Sequence, residues 1–416
     1  MTSCALHVPP TRRRSRLVAL ISLALAAACR DATAPDGPRH VGEWDTYGRV
    51  RDRWYKPQSG YGAACPTVAG DVVVFGTGDG HLIARDRASG TERWRALVTG
   101  GGYSVDAGLL TVKDVVVALA DYQTVGVDRA SGRVLWSYAA PPDSNAWFGY
   151  PSAPGYLSHN HAAADSAGTV YVPAWGGSVS AVDVRTGLAR WAWRLDPGYP
   201  FNSGASGTAV AGDTVFAALW QNTNLSGTEM RGVLVSLDRA TGRELARAAL
   251  PFAPSRIGGP ILATPAAVIV ARGGAGQLAA VDRRTGAVTW RFSPPPAQYG
   301  WQYASSSGVG GDADLAFTDG GNDHFHAVRA ATGEQVWEND QYGGTMATPT
   351  ASARRVYAAN GWALSVFDRE TGGVVAKVVQ PGHKALDLDG LIGCVTVVGP
   401  EAYATTYAGA WSFWEP

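Results

Sequence analysis

Ala181-Val182-Asp183-Val184-Arg185-Thr186-Gly187-Leu188-Ala189-Arg190-Trp191 is the stretch from which the fold is read. An apolar run ends at Asp183, whose carboxylate can accept hydrogen bonds from the N–H groups two and three residues on and so pin a turn. Gly187 supplies the positive φ of a hairpin turn or bulge. Trp191 then falls on the next strand, where its flat ring buries a large area against a neighbour. The unit ends one strand and starts another, so its chemistry is structural.

The unit recurs along the chain. Further copies are Asp86…Ser89-Gly90…Trp94, Asp128…Ser131-Gly132…Trp136, Asp238…Thr241-Gly242…Ala246, Asp282…Thr285-Gly286…Trp290, Arg329…Thr332-Gly333…Trp337 and Asp368…Thr371-Gly372…Ala376. Successive copies lie 42, 55, 55, 44, 47 and 39 residues apart, a period that holds four short strands and so marks a propeller blade. Arg329, Ala246 and Ala376 depart from the pattern, and the sixth, fourth and seventh copies are expected to be less regular there.

In the third blade, residues 161–167 read as the inner strand, 169–174 as the second, 178–183 as the third and 188–195 as the fourth. Val179, Ala181 and Asp183 alternate with Ser178, Ser180 and Val182, the period of a strand. After the seventh copy, residues 391–398, 402–406 and 410–414 give three more strands. Residues 51–56, with Trp54 in the place of the motif Trp, have no blade of their own. The simplest closure makes this N-terminal strand the outer strand of the last blade. The expectation is an all-β, eight-bladed propeller of four-stranded antiparallel blades over residues 44–416, with no free edge at the seam.

Composition agrees. The 416 residues are 46% hydrophobic and 17% charged, with 52 Gly and 15 Trp, which excludes a coiled coil, a charged disordered chain and a helical bundle. Lys and Arg together number 35, as do Asp and Glu, so nothing points to a nucleic-acid partner. No apolar run in the mature chain is long enough for a membrane span.

The N-terminus reads as a targeting segment, residues 1–28. Arg12, Arg13, Arg14 and Arg16 precede an apolar stretch at 17–28, too short to span as a helix. The Arg cluster lacks the apolar residues expected right after a twin-arginine pair. Leu25-Ala26-Ala27-Ala28-Cys29 resembles a bacterial lipobox, in which the Cys becomes the lipidated first residue, although Ala26 stands where Leu is usual. The alternative is ordinary cleavage near the Ala run with a free Cys29. Without residues 1–28 the chain keeps 31 basic and 35 acidic residues, too acidic to hold itself to anionic lipid by charge. Residues 29–43 read as a flexible tether.

Ala181 to Trp191, and likewise Ala280-Val281-Asp282-Arg283-Arg284-Thr285-Gly286-Ala287-Val288-Thr289-Trp290, fully match Ala-x-Asp-x-x-Thr-Gly-x-x-x-Trp. This is the repeat of the pyrroloquinoline-quinone-like (PQQ-like) propeller family, which the chain resembles over nearly its whole mature length. In layout, with eight blades, a lipobox and no inserted domain, it is most similar to the BamB-type outer-membrane assembly lipoproteins. That resemblance implies a non-catalytic, lipid-anchored, periplasm-facing scaffold, monomeric and held to the membrane by lipid alone, outer rather than inner. Its partner would be another envelope protein, and no cofactor is expected. A second reading is a quinoprotein dehydrogenase, whose relatives hold PQQ and Ca²⁺ on the ring axis, use an Asp base and carry an adjacent Cys pair. This chain has no adjacent Cys pair, and no catalytic Asp maps onto it. A third is a propeller that binds a small molecule or glycan. No catalytic residue is assigned.

Cys4 leaves with the targeting segment, which leaves Cys65 and Cys394. Aligning the inner strands places both at one position, where the other blades carry Gly108, Ala163, Gly207, Gly259, Ser306 and Thr348, all small. The two cysteines then face each other across the closure seam. They form either a disulfide, as an exported protein allows, or two free thiols in a crowded ring.

The other candidates are weaker. His159 with His161, and His324 with His326, are i, i+2 pairs that each present two imidazoles to one strand face, but zinc-type spacing is missing and structural His is the better reading. Asp312, Asp314, Asp319 and Asp323 lack the EF-hand order and read as turn residues. Long loops at 141–160, 199–206 and 221–231 are where binding usually sits on a rigid ring. Trp147, Phe148, Tyr150 and Tyr156 are either an exposed aromatic anchor for a partner or a lid over the ring.

Overall fold

Runs of β-branched and aromatic residues between Asx turns form strands because a pleated surface buries their stiff side chains well. The computed structural model describes residues 49–57, 64–99, 105, 108–120, 123–141, 161–195, 203–223, 229–254, 259–272, 276–295, 308–319, 324–340, 348–359, 363–379, 381, 392–406 and 408–416. All belong to the unit Val41–Pro416. The targeting segment, Cys29, the tether and the aromatic stretch 147–156 lie outside them.

The described residues form eight four-stranded antiparallel sheets in a ring, an eight-bladed β-propeller. Blade 1 is typical, with Thr67–Ala69 innermost, then Val72–Gly76, His81–Asp86 and Glu92–Leu97. Blades 2 to 7 repeat this order. Blade 8 takes Ile392–Val398, Glu401–Thr406 and Gly409–Trp414 from the end of the chain and Arg51–Pro57 from its start as the outer strand. Arg51 pairs with Trp414 and Pro57 with Gly409, so the ring closes by strand pairing as the sequence implies.

The core is not one interior but eight. Each apolar cluster joins two neighbouring blades, as Leu82, Ala84 and Trp94 of blade 1 join Val116, Ala118 and Val125 of blade 2. At the closure, Trp54, Tyr403 and Ala410 of blade 8 pack on Val73, Phe75 and Ile83 of blade 1. A blade is therefore covered on both faces. That is why Ser178–Asp183, which alternates in sequence, is buried at five successive positions. The alternation is plain on the outer strand of blade 1, where Trp94 and Ala96 are buried and their neighbours exposed.

Three expectations are corrected. The inner strand of blade 3 is only Ala163–Ala164, because His161 pairs instead with Gly207 of blade 4. The departures from the repeat do not disturb pairing. The blade with Ala246 has the longest strands, Ser203–Ala211, Thr214–Asn222, Met230–Asp238 and Glu244–Leu250. Residues 221 and 222 and 230 and 231, read as loop from the sequence, extend that hairpin instead. Arg329 keeps its turn through the backbone, with Gly333 N–H donating to its carbonyl at 2.8 Å.

Candidate functional site

Strand order fixes where a site can lie. The turns from inner to second strand and from third to outer strand all fall at one end of the ring. The second strands end and the third strands begin at the other, where each outer strand also ends and the next inner strand begins; the longest stretch between two blades in sequence is 139–162. One end is thus a framework of short turns, and the other carries the variable loops.

The framework end is built by the repeat. Asp183 Oδ1 accepts from the N–H groups of Arg185 at 3.0 Å and Thr186 at 3.1 Å. Asp86, Asp282 and Asp368 bind the N–H groups two and three residues on in the same way. The Arg190 guanidinium, with burial opposing it, holds the Asp183 carboxyl down to about 2. Gly187 has φ +71°, and a Cβ there would stand 2.6 Å from Trp136 of the preceding blade. That indole lies on the glycine and donates its N–H to the Val184 carbonyl at 2.7 Å. The same pairing joins Trp54 to Gly90, Trp94 to Gly132, Trp191 to Gly242, Trp290 to Gly333 and Trp337 to Gly372. Each of these indoles also donates to the carbonyl just before its turn, at 2.8–3.1 Å.

Sequence reasoning missed a second latch. The residue after the motif Asp is Arg at positions 87, 129, 239, 283 and 369, a repetition visible in the sequence. Arg283 donates to the Ala211 carbonyl of the preceding blade at 3.0 Å, and Arg369 Nη1 lies 2.6 Å from Asp312 of the preceding blade. At the closure, Arg87 Nη2 of blade 1 and Arg53 Nη2 of blade 8 flank Glu401 at 2.6 and 2.9 Å. Burial alone would raise the Glu401 carboxyl, and the Tyr403 hydroxyl and the two guanidiniums more than offset it.

Cys65 and Cys394 are joined at this seam, with Cα atoms 4.8 Å apart and Cys394 buried. Inner strands are crowded here as at other blades. The Thr396 hydroxyl donates to the Pro66 carbonyl at 2.6 Å, and a Cβ on Gly207 would meet the Gly259 carbonyl at 2.4 Å. A small recess among Ser206, Pro254, Pro260 and Gly308 carries no titratable side chain.

The polar candidates resolve into structure. His324 pairs through Nδ1 with Glu338, and His326 through Nδ1 with Gln335 at 3.2 Å. His326 is fully buried against Phe292 of blade 5, and burial pushes its pKa down. Asp312 binds the N–H of Asp314 at 2.9 Å and Arg369, the arrangement of a turn residue. His159 and Asp323 lie outside the described residues. Among the described residues no three of His, Cys, Asp and Glu stand together as a metal would need.

Residues 43–222, 156–273, 230–300 and 274–388 match the profile of a family described as outer membrane protein assembly factor BamB. No curated protein sequence matches the chain. Among solved structures, the computationally designed Ika8 protein aligns over 88% of this chain and 99% of its own, at TM-score 0.63 and 13% identity. BamB from Moraxella catarrhalis aligns over 90% and 94%, at TM-score 0.45 and 17% identity. The quinohemoprotein alcohol dehydrogenase ADHIIG from Pseudomonas putida HK5 aligns over 73% of this chain, at TM-score 0.50 and 16% identity. The chain spans only 62% of that enzyme's length. At these identities the structural likenesses speak for the fold alone.

Proposed function

The chain belongs to the family of the outer membrane protein assembly factor BamB, and on that premise we propose that it is a non-catalytic scaffold in outer-membrane protein assembly. In this reading Cys29 carries the lipid anchor, the ring faces the periplasm, and the loop end binds an envelope protein. The observation that carries the reading is the family match from residue 43 to residue 388. The geometry supports it. The repeat's carboxylates and indoles are engaged in turns and seams, which makes the ring a rigid platform for its loops.

The test is a deletion strain scored for outer-membrane β-barrel protein content. The reading expects that content to fall, to be restored by the wild-type gene, and to be restored poorly by Cys29→Ala. Unchanged content on deletion would overturn it. Purified protein should also show no saturable fluorescence quenching by PQQ with Ca²⁺. Quenching with dye-linked alcohol or sugar oxidation would favour a quinoprotein instead.

A further inference from the structure

Of the seven motif turns, six carry an indole from the preceding blade against the glycine. The seventh, at Gly286 of blade 5, does not. The residue in Trp register on blade 4 is Ala246, which pairs with Ser236 as Trp191 pairs with Ala181. Among the described residues a Cβ built on Gly286 would meet only Ala248 Cβ, at 3.7 Å, whereas at the six filled turns the ring stands at 2.5–2.8 Å. Ala246 is exposed, and no described side chain donates to the Arg283 carbonyl, the acceptor that corresponds to Val184 O. The slot thus keeps its glycine floor and its acceptor without an occupant among the described residues. Leu245, next to Ala246 in the chain, is 44% exposed.

We infer that this slot, at the outer rim between blades 4 and 5, receives a tryptophan side chain from a partner polypeptide. The six filled copies define the occupant. It needs a flat ring wide enough to cover the glycine and an N–H at its edge aimed at the Arg283 carbonyl, and among side chains only indole offers both in that geometry. The slot lies away from the loop end, so this contact is additional to any made by the loops and does not rest on the outer-membrane reading.

The test uses the full mature protein and N-acetyl-5-fluorotryptophanamide, followed by ¹⁹F NMR. The slot predicts a saturable shift of the fluorine line. Ala246→Trp places the chain's own indole in the slot and should weaken that binding by about tenfold or more while raising the melting temperature. Ala246→Phe, which fills the slot without an N–H, is the second variant should the first fold poorly, and it too should block the probe. Equal binding by wild type and a folded filled-slot variant would overturn the inference, as would the absence of saturable binding by wild type. Neither result bears on outer-membrane assembly, since no membrane component is present.

Discussion

At the scale of single residues, stability should concentrate in the tryptophan–glycine pairs. Trp136 is 8% exposed, lies on Gly187 and donates to Val184. Trp136→Ala should lower unfolding free energy by about 3–5 kcal/mol in urea titration. Trp136→Phe keeps a ring but strands the carbonyl, and should cost less than the alanine. Gly187→Ala adds a Cβ 2.6 Å from the indole at a φ of +71°, so it should destabilise by more than the usual ~1 kcal/mol of a strained alanine. pH acts through His326. Burial depresses its pKa in the folded state, so its contribution is full above the unfolded value near 6.5 and is lost as pH falls. Stability should decline on acidification below that value, and His326→Leu should remove part of the slope. A second decline follows at lower pH, because Asp183 is held at about 2 and loses its contribution as pH falls from 3.8 towards that value. These partners were only half legible. The spacing Asp-x-x-Thr-Gly-x-x-x-Trp shows the turn, but that each indole docks on the next blade's glycine depends on how blades stack.

At the scale of elements, the ring is closed twice at one seam. Residues Arg51–Pro57 pair with Gly409–Trp414 at the outer edge, and Cys65 is bonded to Cys394 at the inner edge. The disulfide spans 329 residues of sequence, and the chain-entropy account gives such loops up to about 5 kcal/mol. Cys65→Ser with Cys394→Ser should lower the melting midpoint without opening the ring, because strand pairing persists; wild-type protein in reductant should melt like the variant. Deleting residues 49–57 instead exposes Gly409–Trp414 as an unpaired edge, and the protein should self-associate in sizing chromatography. The strands themselves were readable from alternation and turn signals to within a residue or two in blade 8. The inner strand of blade 3 was not. It is only Ala163–Ala164, and His161 pairs with Gly207 instead, a contact that no local pattern encodes. The Arg latches left a visible signal, Asp-Arg repeated at the motif, whose meaning needed the neighbouring blade's turn to be placed beside it.

At the scale of the whole molecule, the antiparallel order separates a short-turn end from a loop end, and the first and last described strands meet at the short-turn end, where Arg51 faces Trp414. A partner held by the loops would therefore sit on the side of the ring opposite the point where the propeller begins. The sequence made the eight blades and their closure legible because a repeat multiplies one local rule. Function was less legible, because the repeat describes framework and the loops follow no repeat. Trp147, Phe148, Tyr150 and Tyr156 remain the loop residues that the scaffold reading puts forward. The direct test is site-specific photo-crosslinking in cells, with a benzophenone amino acid at each of these four positions and, as a control, at Arg93 on the short-turn end. The account predicts a discrete crosslink to one envelope protein from the loop positions and none from Arg93. Crosslinks absent from all four loop positions, or equal at both ends of the ring, would contradict it.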